Sequence, residues 1–195
     1  MSHKIIFATG NENKVREVQD ATPKSIEWKS LSSIGWDSEI PETTGTIEGN
    51  SLQKAETIWE SLKESVAAED TGLEITALNM DPGVDTAFYA GPERDPQKNM
   101  ALVLQNLKNE KDRSAQFRTV FTLIHKGKIY QFEGVCKGVI AAEAIGDKGF
   151  GYDPIFIPDG ADQTFGQMDL SDKKKFSHRA KALSSLLSEL DIIMG

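Results

Sequence analysis

Strand-forming and helix-forming segments alternate along the first part of the chain, and strand-forming segments follow one another in the middle. The apolar run at residues 4–8 predicts a strand, and the helical pattern after it ends before Pro23. Residues 116–125 and 128–135 flank Lys126-Gly127, which predicts a β-hairpin. This order predicts an α/β fold with a mixed β-sheet flanked by helices.

Local end signals and short apolar runs indicate the remaining elements. Asn50 with Gln53 three residues later resembles a capping box, and Asp95-Pro96 is typical of a helix start. Ser177 is a candidate cap for the last helix. The sequence therefore predicts helices at about 51–63, 96–107 and 178–190, strands at 66–69, 73–78 and 155–157, and a loop at 31–49.

The size and charge of the chain limit what it can be. Its 195 residues predict a single domain over 1–195, and 22 basic against 30 acidic residues give a net charge of −8. This acidic balance argues against general nucleic-acid binding. Cys136 is the single cysteine, and no apolar run is long enough for a signal sequence or a membrane span. We expect a cytoplasmic protein with no nucleic-acid or membrane partner.

The first candidate site is the strand-to-helix loop Thr9-Gly10-Asn11-Glu12-Asn13-Lys14. A glycine lets backbone N–H groups approach an anion, while the helix N-terminus and Lys14 add positive charge. The loop matches neither of the common glycine-rich phosphate-binding motifs. A turn with a solvated lysine is the simpler interpretation, and the local sequence alone favours it.

The second candidate is Glu69-Asp70-Thr71-Gly72, a pair of carboxylates directly after a predicted strand. An aspartate at a strand end can bind Mg²⁺ or accept a proton from water. A polar turn in which Asp70 bonds to local backbone is an equally good interpretation.

Glu42, Glu48 and Lys54 lie close to the start of the second predicted helix. Carboxylates beside a lysine at a helix start can hold a metal ion together with a phosphate. The commoner case is that Glu48 compensates the helix dipole and Lys54 is solvated.

Two further segments combine aromatic, glycine and charged residues. In 146–154, three glycines flank Phe150, on which a planar ring could stack, and Asp153 could accept hydrogen bonds from that ring. A tight turn with Phe150 in the core is the simpler alternative. In 173–179, a lysine run precedes His178 and Arg179, which could donate to a carbonyl or phosphate oxygen. A lysine run is usually a solvated face.

These segments, in this order, resemble the inosine triphosphate pyrophosphatases, a family of hydrolases that remove aberrant purine nucleotides. The resemblance runs from Ile5 to about Leu187, nearly the whole chain. The segments that carry it are Thr9-Gly10-Asn11 with Lys14, Glu69-Asp70-Thr71-Gly72, Gly149-Phe150-Gly151-Tyr152-Asp153-Pro154 and Ser177-His178-Arg179, with a looser match at Pro82-Gly83 and Tyr89-Ala90-Gly91. A single motif of this kind is weak, but the ordered set is specific.

The resemblance implies an elongated α/β fold with a curved mixed sheet, two lobes and a central cleft, usually as a homodimer. It implies Mg²⁺-dependent cleavage of ITP, dITP or XTP between the α and β phosphates, which releases the monophosphate and pyrophosphate. Glu42 and Asp70 match the Mg²⁺ ligands. Asp70 also matches the acceptor of a proton from the attacking water, with Glu69 in support.

The resemblance also implies a set of substrate contacts. The residues matched to the phosphate side are Thr9, Gly10, Asn11, Lys14 and Lys54, with Thr71 as a further substrate contact. The residues matched to the base side are Phe150, Asp153, His178 and Arg179. Gly151, Tyr152 and Lys173 are matched as further substrate contacts, and Lys173 corresponds to the family lysine before the last helix. On the base side, Phe150 would stack on the purine, and Asp153, His178 and Arg179 would read its edge.

The chain departs from the family pattern at two places. The family commonly has Glu-Asn before the second helix, where this chain has Glu48-Gly49-Asn50, so Glu48 receives no role. The family usually has Arg or Lys where this chain has Phe88, so the sequence pattern provides no basic contact there. Two alternatives therefore stay open: a pyrophosphatase of another modified nucleotide, or a nucleotide-binding regulator that has lost catalysis.

Overall fold

The computed structural model describes residues 3–195, and of Asn13 only the backbone. The strands are β1 His3–Phe7, β2 Ile26–Ser30, β3 Val66–Ile75, β4 Pro82–Gly83, β5 Ser114–His125, β6 Lys128–Ile140 and β7 Phe156–Pro158. The helices are α1 Glu12–Ala21, α2 Ile47–Leu62, α3 Pro96–Asn106, α4 Leu170–Lys173 and α5 His178–Met194. Short 3-10 turns lie at 32–34, 76–78, 153–155 and 174–176.

Within the described residues, the strands form one mixed sheet in the order β2-β1-β3-β5-β6-β7, with β4 paired to β3. β1 runs parallel to both β2 and β3, whereas β4 is antiparallel to β3 and β7 is antiparallel to β6. The predicted α/β fold with a mixed sheet is therefore confirmed. No helix in residues 3–195 combines the length and the apolar character needed to cross a membrane.

The chain divides into two compact units. Unit 1 contains the chain up to Asp70 together with Thr119–Glu133 and Lys181–Gly195, and unit 2 contains Thr71–Arg118 and Gly134–Ala180. That the two act as a single domain, with the cleft implied by the family resemblance, stays a prediction.

Unit 1 packs helices on both faces of its strands. Ile5 and Phe7 of β1 lie in a buried cluster with residues of α1 and α5, and the alternate residues Ile6 and Ala8 lie in a second cluster with residues of α2. Because successive strand residues point to opposite faces, this four-residue apolar run fills two cores at once. The loop that follows β1 is thereby fixed at the edge of a rigid scaffold.

Unit 2 has one buried cluster. Leu73 and Ile75 from the second half of β3 pack against α3, and Phe117, Phe156 and Phe165 fill the rest of the cluster. The rings of Phe117 and Phe156 have centroids 4.7 Å apart. Phe156 and Phe165 follow the glycine-rich segment 146–151, so this packing fixes the chain on its C-terminal side.

Several predicted elements are confirmed, and each had a strong local signal. Asp95 caps α3 and accepts hydrogen bonds from the backbone N–H groups of Gln97 and Lys98. Lys126 and Gly127 both have positive φ, 49° and 74°, which suits a two-residue hairpin turn between β5 and β6.

Four details of the prediction are wrong. β2 was not predicted, and β6 continues to Ile140. β3 is one continuous strand rather than two strands around a polar turn. α2 begins at Ile47 with Thr46 as its cap, so 31–49 is not entirely loop and Asn50 with Gln53 is not a capping box.

One histidine of unit 1, His125, is partly buried. His125 ends β5, and its Nδ1 lies 2.7 Å from the hydroxyl of Ser65. Its Nε2 is buried with no hydrogen-bond partner among the described residues. Burial, followed by the positive charges of Lys126 and His3, lowers the pKa of His125 below its ordinary value of 6.5.

We expect the free energy of unfolding to decrease as the pH falls below about 6.5, because the unfolded histidine then binds a proton that the folded one still refuses. The loss continues until the pH passes the lowered pKa of the folded state. Urea unfolding of the wild-type protein and of His125→Gln between pH 8 and pH 5 measures this loss in the free energy of unfolding. The difference between the two proteins should vary with pH in this window, and parallel curves would contradict the assignment.

Candidate functional site

The two acidic residues at the middle of β3 point to opposite faces of the sheet. Ala67 lies in the cluster with α1 and α5, and Ala68 lies in the cluster with α2. Side chains alternate along a strand, so Glu69 shares the face of Ala67 and Asp70 shares the face of Ala68. Each carboxylate therefore meets a different helix.

On each face, a helix provides a lysine for the carboxylate. Lys14 Nζ of α1 lies 2.8 Å from Glu69 Oε1, and Lys54 Nζ of α2 lies 3.0 Å from Asp70 Oδ1. The Glu69 side chain is fully buried, and those of Asp70 and Lys54 are 12% and 10% exposed. Since buried carboxylates are costly without a charged partner, these pairs explain how polar residues fit in a central strand. The interpretation of Asp70 as part of a local turn is wrong.

Glu42 completes a triad with Lys54 and Asp70. Lys54 Nζ donates to Glu42 Oε1 at 3.0 Å and to Asp70 Oδ1 at 3.0 Å, so one ammonium group lies between two carboxylates. The Glu42 side chain is 46% exposed, which leaves this group open to solvent. Lys54 is therefore not a solvated lysine at a helix start.

Burial raises the pKa of the Asp70 carboxyl above its ordinary value, and the nearby Glu42 raises it further. Hydrogen bonding and the charge of Lys54 act in the opposite direction. A second hydrogen bond, from the buried Asn50, also lowers this pKa. A cation near Asp70 therefore stabilises its ionised form.

The carboxylates of Glu42 and Asp70 fit a divalent cation that also binds a substrate. No group of three or more His, Cys, Asp or Glu residues that could hold a metal ion occurs in residues 3–195. Mg²⁺ commonly takes one or two carboxylates and completes its shell with water and phosphate oxygens. Two oxygens that already converge on the ammonium of Lys54 match that partial donor set.

The loop after β1 forms the exposed N-terminus of α1. Asn11 caps this helix, because its Oδ1 accepts a hydrogen bond from the Lys14 N–H at 3.3 Å, and Thr9 Oγ1 accepts one from the Asn11 N–H at 3.1 Å. Nothing lies within 4 Å of the position that a Cβ on Gly10 would take. The backbone here is therefore accessible to an anion, and Lys14 lies next to it.

In unit 2, the aromatic segment 149–154 combines an exposed ring, that of Phe150, with a buried carboxylate, that of Asp153. The Phe150 residue is 74% exposed, so the alternative that places it in the core is wrong. Its backbone N–H donates to Asp153 Oδ2 at 2.8 Å. Lys173 Nζ pairs with the same carboxylate oxygen and lies 4.8 Å from the centroid of the Phe150 ring. Gly149, at φ 78°, leaves the space that Asp153 occupies.

The other predicted substrate contacts of unit 2 differ in their surroundings. Tyr152 is buried, its hydroxyl donates to the Thr86 carbonyl at 2.8 Å, and burial raises its pKa. Tyr152 therefore anchors the aromatic segment to the core of unit 2. Its contact with substrate stays a prediction. Gly151 has an open Cβ position. The His178 ring stacks on Phe117 with centroids 5.1 Å apart, and Arg179 follows it in the first turn of α5.

The predicted residues thus form two sets, one in each unit. The first contains Glu42, Lys54, Asp70, Glu69, Lys14 and the loop Thr9-Gly10-Asn11. The second contains Phe150, Gly151, Tyr152, Asp153, Lys173, His178 and Arg179, with Thr71 as the first residue of unit 2. Of the three consecutive lysines, Lys173 contacts the aromatic segment, whereas Lys175 pairs with Asp172.

The structure accounts for both departures from the family pattern. A Cβ on Gly49 would collide with the Thr44 side chain, so the glycine makes room for the loop that carries Glu42. Phe88 is 40% exposed, and the Arg94 guanidinium lies 4.4 Å from its ring centroid. A cation, the guanidinium of Arg94, therefore lies next to position 88, although it comes from a residue six positions later in the chain.

This α/β protein has a lysine-bridged pair of carboxylates, an accessible helix N-terminus and an exposed aromatic ring. These features are typical of nucleotide-binding proteins. The family model described as the Ham1 family matches residues 5–189, so the chain belongs to the Ham1 family.

Relatives and solved structures agree with this assignment. A dITP/XTP pyrophosphatase of Flavobacterium johnsoniae is 45% identical, with 96% of this chain and 97% of the relative covered. One of Bacillus subtilis is 40% identical, with 96% and 97% covered. The structure of the Staphylococcus aureus Ham1 protein superposes with a TM-score of 0.91 at 34% identity and covers 96% of this chain and 98% of that one.

Proposed function

We propose that this protein hydrolyses non-standard purine nucleoside triphosphates, namely dITP, XTP and ITP, to the monophosphate and pyrophosphate. The observation that carries the proposal is the position of Lys54 between Glu42 and Asp70. The relatives named dITP/XTP pyrophosphatase, which align over nearly the whole chain, support the substrate class.

The first set of residues binds the triphosphate. A nucleoside triphosphate brings about four negative charges, which a protein of net charge −8 has to neutralise locally. Lys14, Lys54 and the N–H groups at the start of α1 provide positive charge and donors for it. Each lysine is balanced by a buried or half-buried carboxylate, which keeps its side chain in place without substrate.

Glu42 and Asp70 would hold Mg²⁺, which when bound would neutralise phosphate charge and make a bound water more acidic. Asp70 accepts the proton of the water that attacks the α phosphorus. A bond forms between the water oxygen and this phosphorus, and the bond to the bridging oxygen breaks. Pyrophosphate leaves with the bonding electrons, and Lys14 stabilises its charge.

The second set of residues binds the base. Phe150 provides an exposed ring for stacking, and Lys173 with Asp153 defines the polar edge beside it. His178 and Arg179 donate to the O6 carbonyl of hypoxanthine or xanthine. Adenine carries an amino group at that position, which would leave these donors unpaired, and such mismatches can discriminate by up to about 10⁴–10⁵-fold.

We also propose that the protein acts in the cytoplasm as a homodimer. The family resemblance supports the dimer, and the single buried cysteine, Cys136, is consistent with a reducing compartment.

Purified protein with Mg²⁺ is expected to release pyrophosphate from dITP, XTP and ITP much faster than from ATP. Pyrophosphate and orthophosphate are measured separately, with and without an added inorganic pyrophosphatase. Orthophosphate formed without the added enzyme would contradict cleavage between the α and β phosphates. A preference for a modified pyrimidine would favour the alternative substrate class, and nucleotide binding without turnover would favour the regulator.

A further inference from the structure

The segment that carries Glu42 lies on the surface of unit 1. All residues from 41 to 46 are exposed, so burial of apolar side chains does not fix this segment. Nevertheless, Glu42 Oε1 lies 3.0 Å from Lys54 Nζ, in the position needed for the triad with Asp70. Other contacts must therefore hold the backbone next to Glu42.

Two amide side chains of α2 make these contacts. Gln53 Oε1 accepts a hydrogen bond from the Thr43 N–H at 2.8 Å, and Gln53 Nε2 donates to Thr43 Oγ1 at 3.0 Å. Asn50 Oδ1 accepts hydrogen bonds from the N–H of Thr44 at 3.1 Å and from its hydroxyl at 2.9 Å. Positions 50, 53 and 54 share one helix face, so both amides and Lys54 meet the same segment.

The two amides differ in what else they touch. Asn50 is buried and also lowers the pKa of Asp70, so its replacement would disturb the core and the candidate base together. Gln53 is half-buried, and its two hydrogen bonds both go to Thr43, the residue that follows Glu42. Gln53 is therefore the position at which the effect of this contact can be isolated.

We propose that Gln53 is a positioning residue for metal binding, which holds the Glu42 carboxylate beside Asp70 before any ligand arrives. The inference rests on the magnesium site proposed above. A free Glu42 segment would lose conformational entropy whenever a metal ion bound, so the affinity for the metal would fall. Residues that orient metal ligands commonly change metal affinity by about 10–100-fold.

Replacing Gln53 by Leu removes both hydrogen bonds and leaves a residue that forms helix equally well. We expect the dissociation constant for Mn²⁺, measured by electron paramagnetic resonance without nucleotide, to rise about tenfold. The Thr43 amide should also exchange its hydrogen faster, while the melting temperature stays unchanged. Gln105→Leu makes the same replacement on an exposed position of α3 and should alter none of these quantities.

Two outcomes would overturn the inference, and only the second of them would also overturn the proposed metal site. If Glu42→Gln weakens Mn²⁺ binding but Gln53→Leu does not, the metal site stands and the positioning role of Gln53 fails. If the wild-type protein binds no Mn²⁺, both the proposed metal site and this inference fail. Faster exchange at Thr43 together with weaker Mn²⁺ binding supports the inference independently of any turnover.

Discussion

Replacing Asp70 by Asn is expected to lower kcat for dITP and ITP by roughly 10²- to 10⁴-fold, the usual contribution of a general base. The amide has the shape of the carboxyl but accepts no proton from water at neutral pH. The fold should tolerate the change, because burial already raises the pKa of Asp70 and so disfavours its charged form. Lys54 also keeps Glu42 as a partner at 3.0 Å.

The measurement is single-turnover release of pyrophosphate at saturating Mg²⁺, accompanied by a thermal melt. Asp20→Asn, the same replacement at an exposed position of α1, is the matched control and should leave both quantities unchanged. A variant Asp70→Asn that retains wild-type turnover would exclude Asp70 as the proton acceptor. A large fall in melting temperature would instead show that its charge is needed for folding.

Local sequence signals were sufficient to predict those elements whose structure depends on neighbouring residues only. Asp95-Pro96 predicted the start of α3, and Lys126-Gly127 predicted the hairpin, since a cap and a two-residue turn depend on neighbouring atoms only. β2 was missed because its five residues carry a short alternating pattern, whose meaning depends on parallel pairing with β1. Pairing of this kind is not visible in a local window.

The sequence Glu69-Asp70-Thr71-Gly72 favoured the end of a strand, and the structure shows why that prediction was wrong. Two adjacent carboxylates are compatible with a buried strand because Lys14 and Lys54 reach them from opposite faces. These partners come from α1 and α2, so only the tertiary structure reveals the compensation. The two alternatives for Asp70 could not have been separated from the residues around it.

The contribution of α2 to the candidate site depends on the spacing of Asn50, Gln53 and Lys54. Asn50 and Gln53 resemble the start of a helix in the sequence, although they lie inside α2 and bind the segment before it. Together with Lys54 they occupy positions i, i+3 and i+4, which would have placed all three on one face once the helix was extended to Ile47. The error in the helix boundary therefore concealed the polar face of the helix.

Replacing Phe150 by Ala is expected to lower kcat/KM for dITP, XTP and ITP by roughly 5- to 150-fold, since stacking of a base on an aromatic ring contributes about 1–3 kcal/mol. Phe150 is 74% exposed, so loss of its ring should change the melting temperature little. Lys173 keeps its ion pair with Asp153 when the ring is removed. The polar edge beside the ring is therefore expected to persist, and Phe150→Trp should restore activity.

Steady-state kinetics with dITP and ATP separates stacking from base reading. Every base has an aromatic face, so Phe150→Ala should lower kcat/KM for both nucleotides by similar factors and leave their ratio nearly unchanged. Ile192→Ala, which truncates an apolar residue that is 84% exposed on α5, is the control and should have no effect. Unaltered kinetics in Phe150→Ala would exclude a stacking role for this ring. A selective loss for dITP would instead mean that the ring takes part in the choice of base, because it holds Lys173 at 4.8 Å from its centroid.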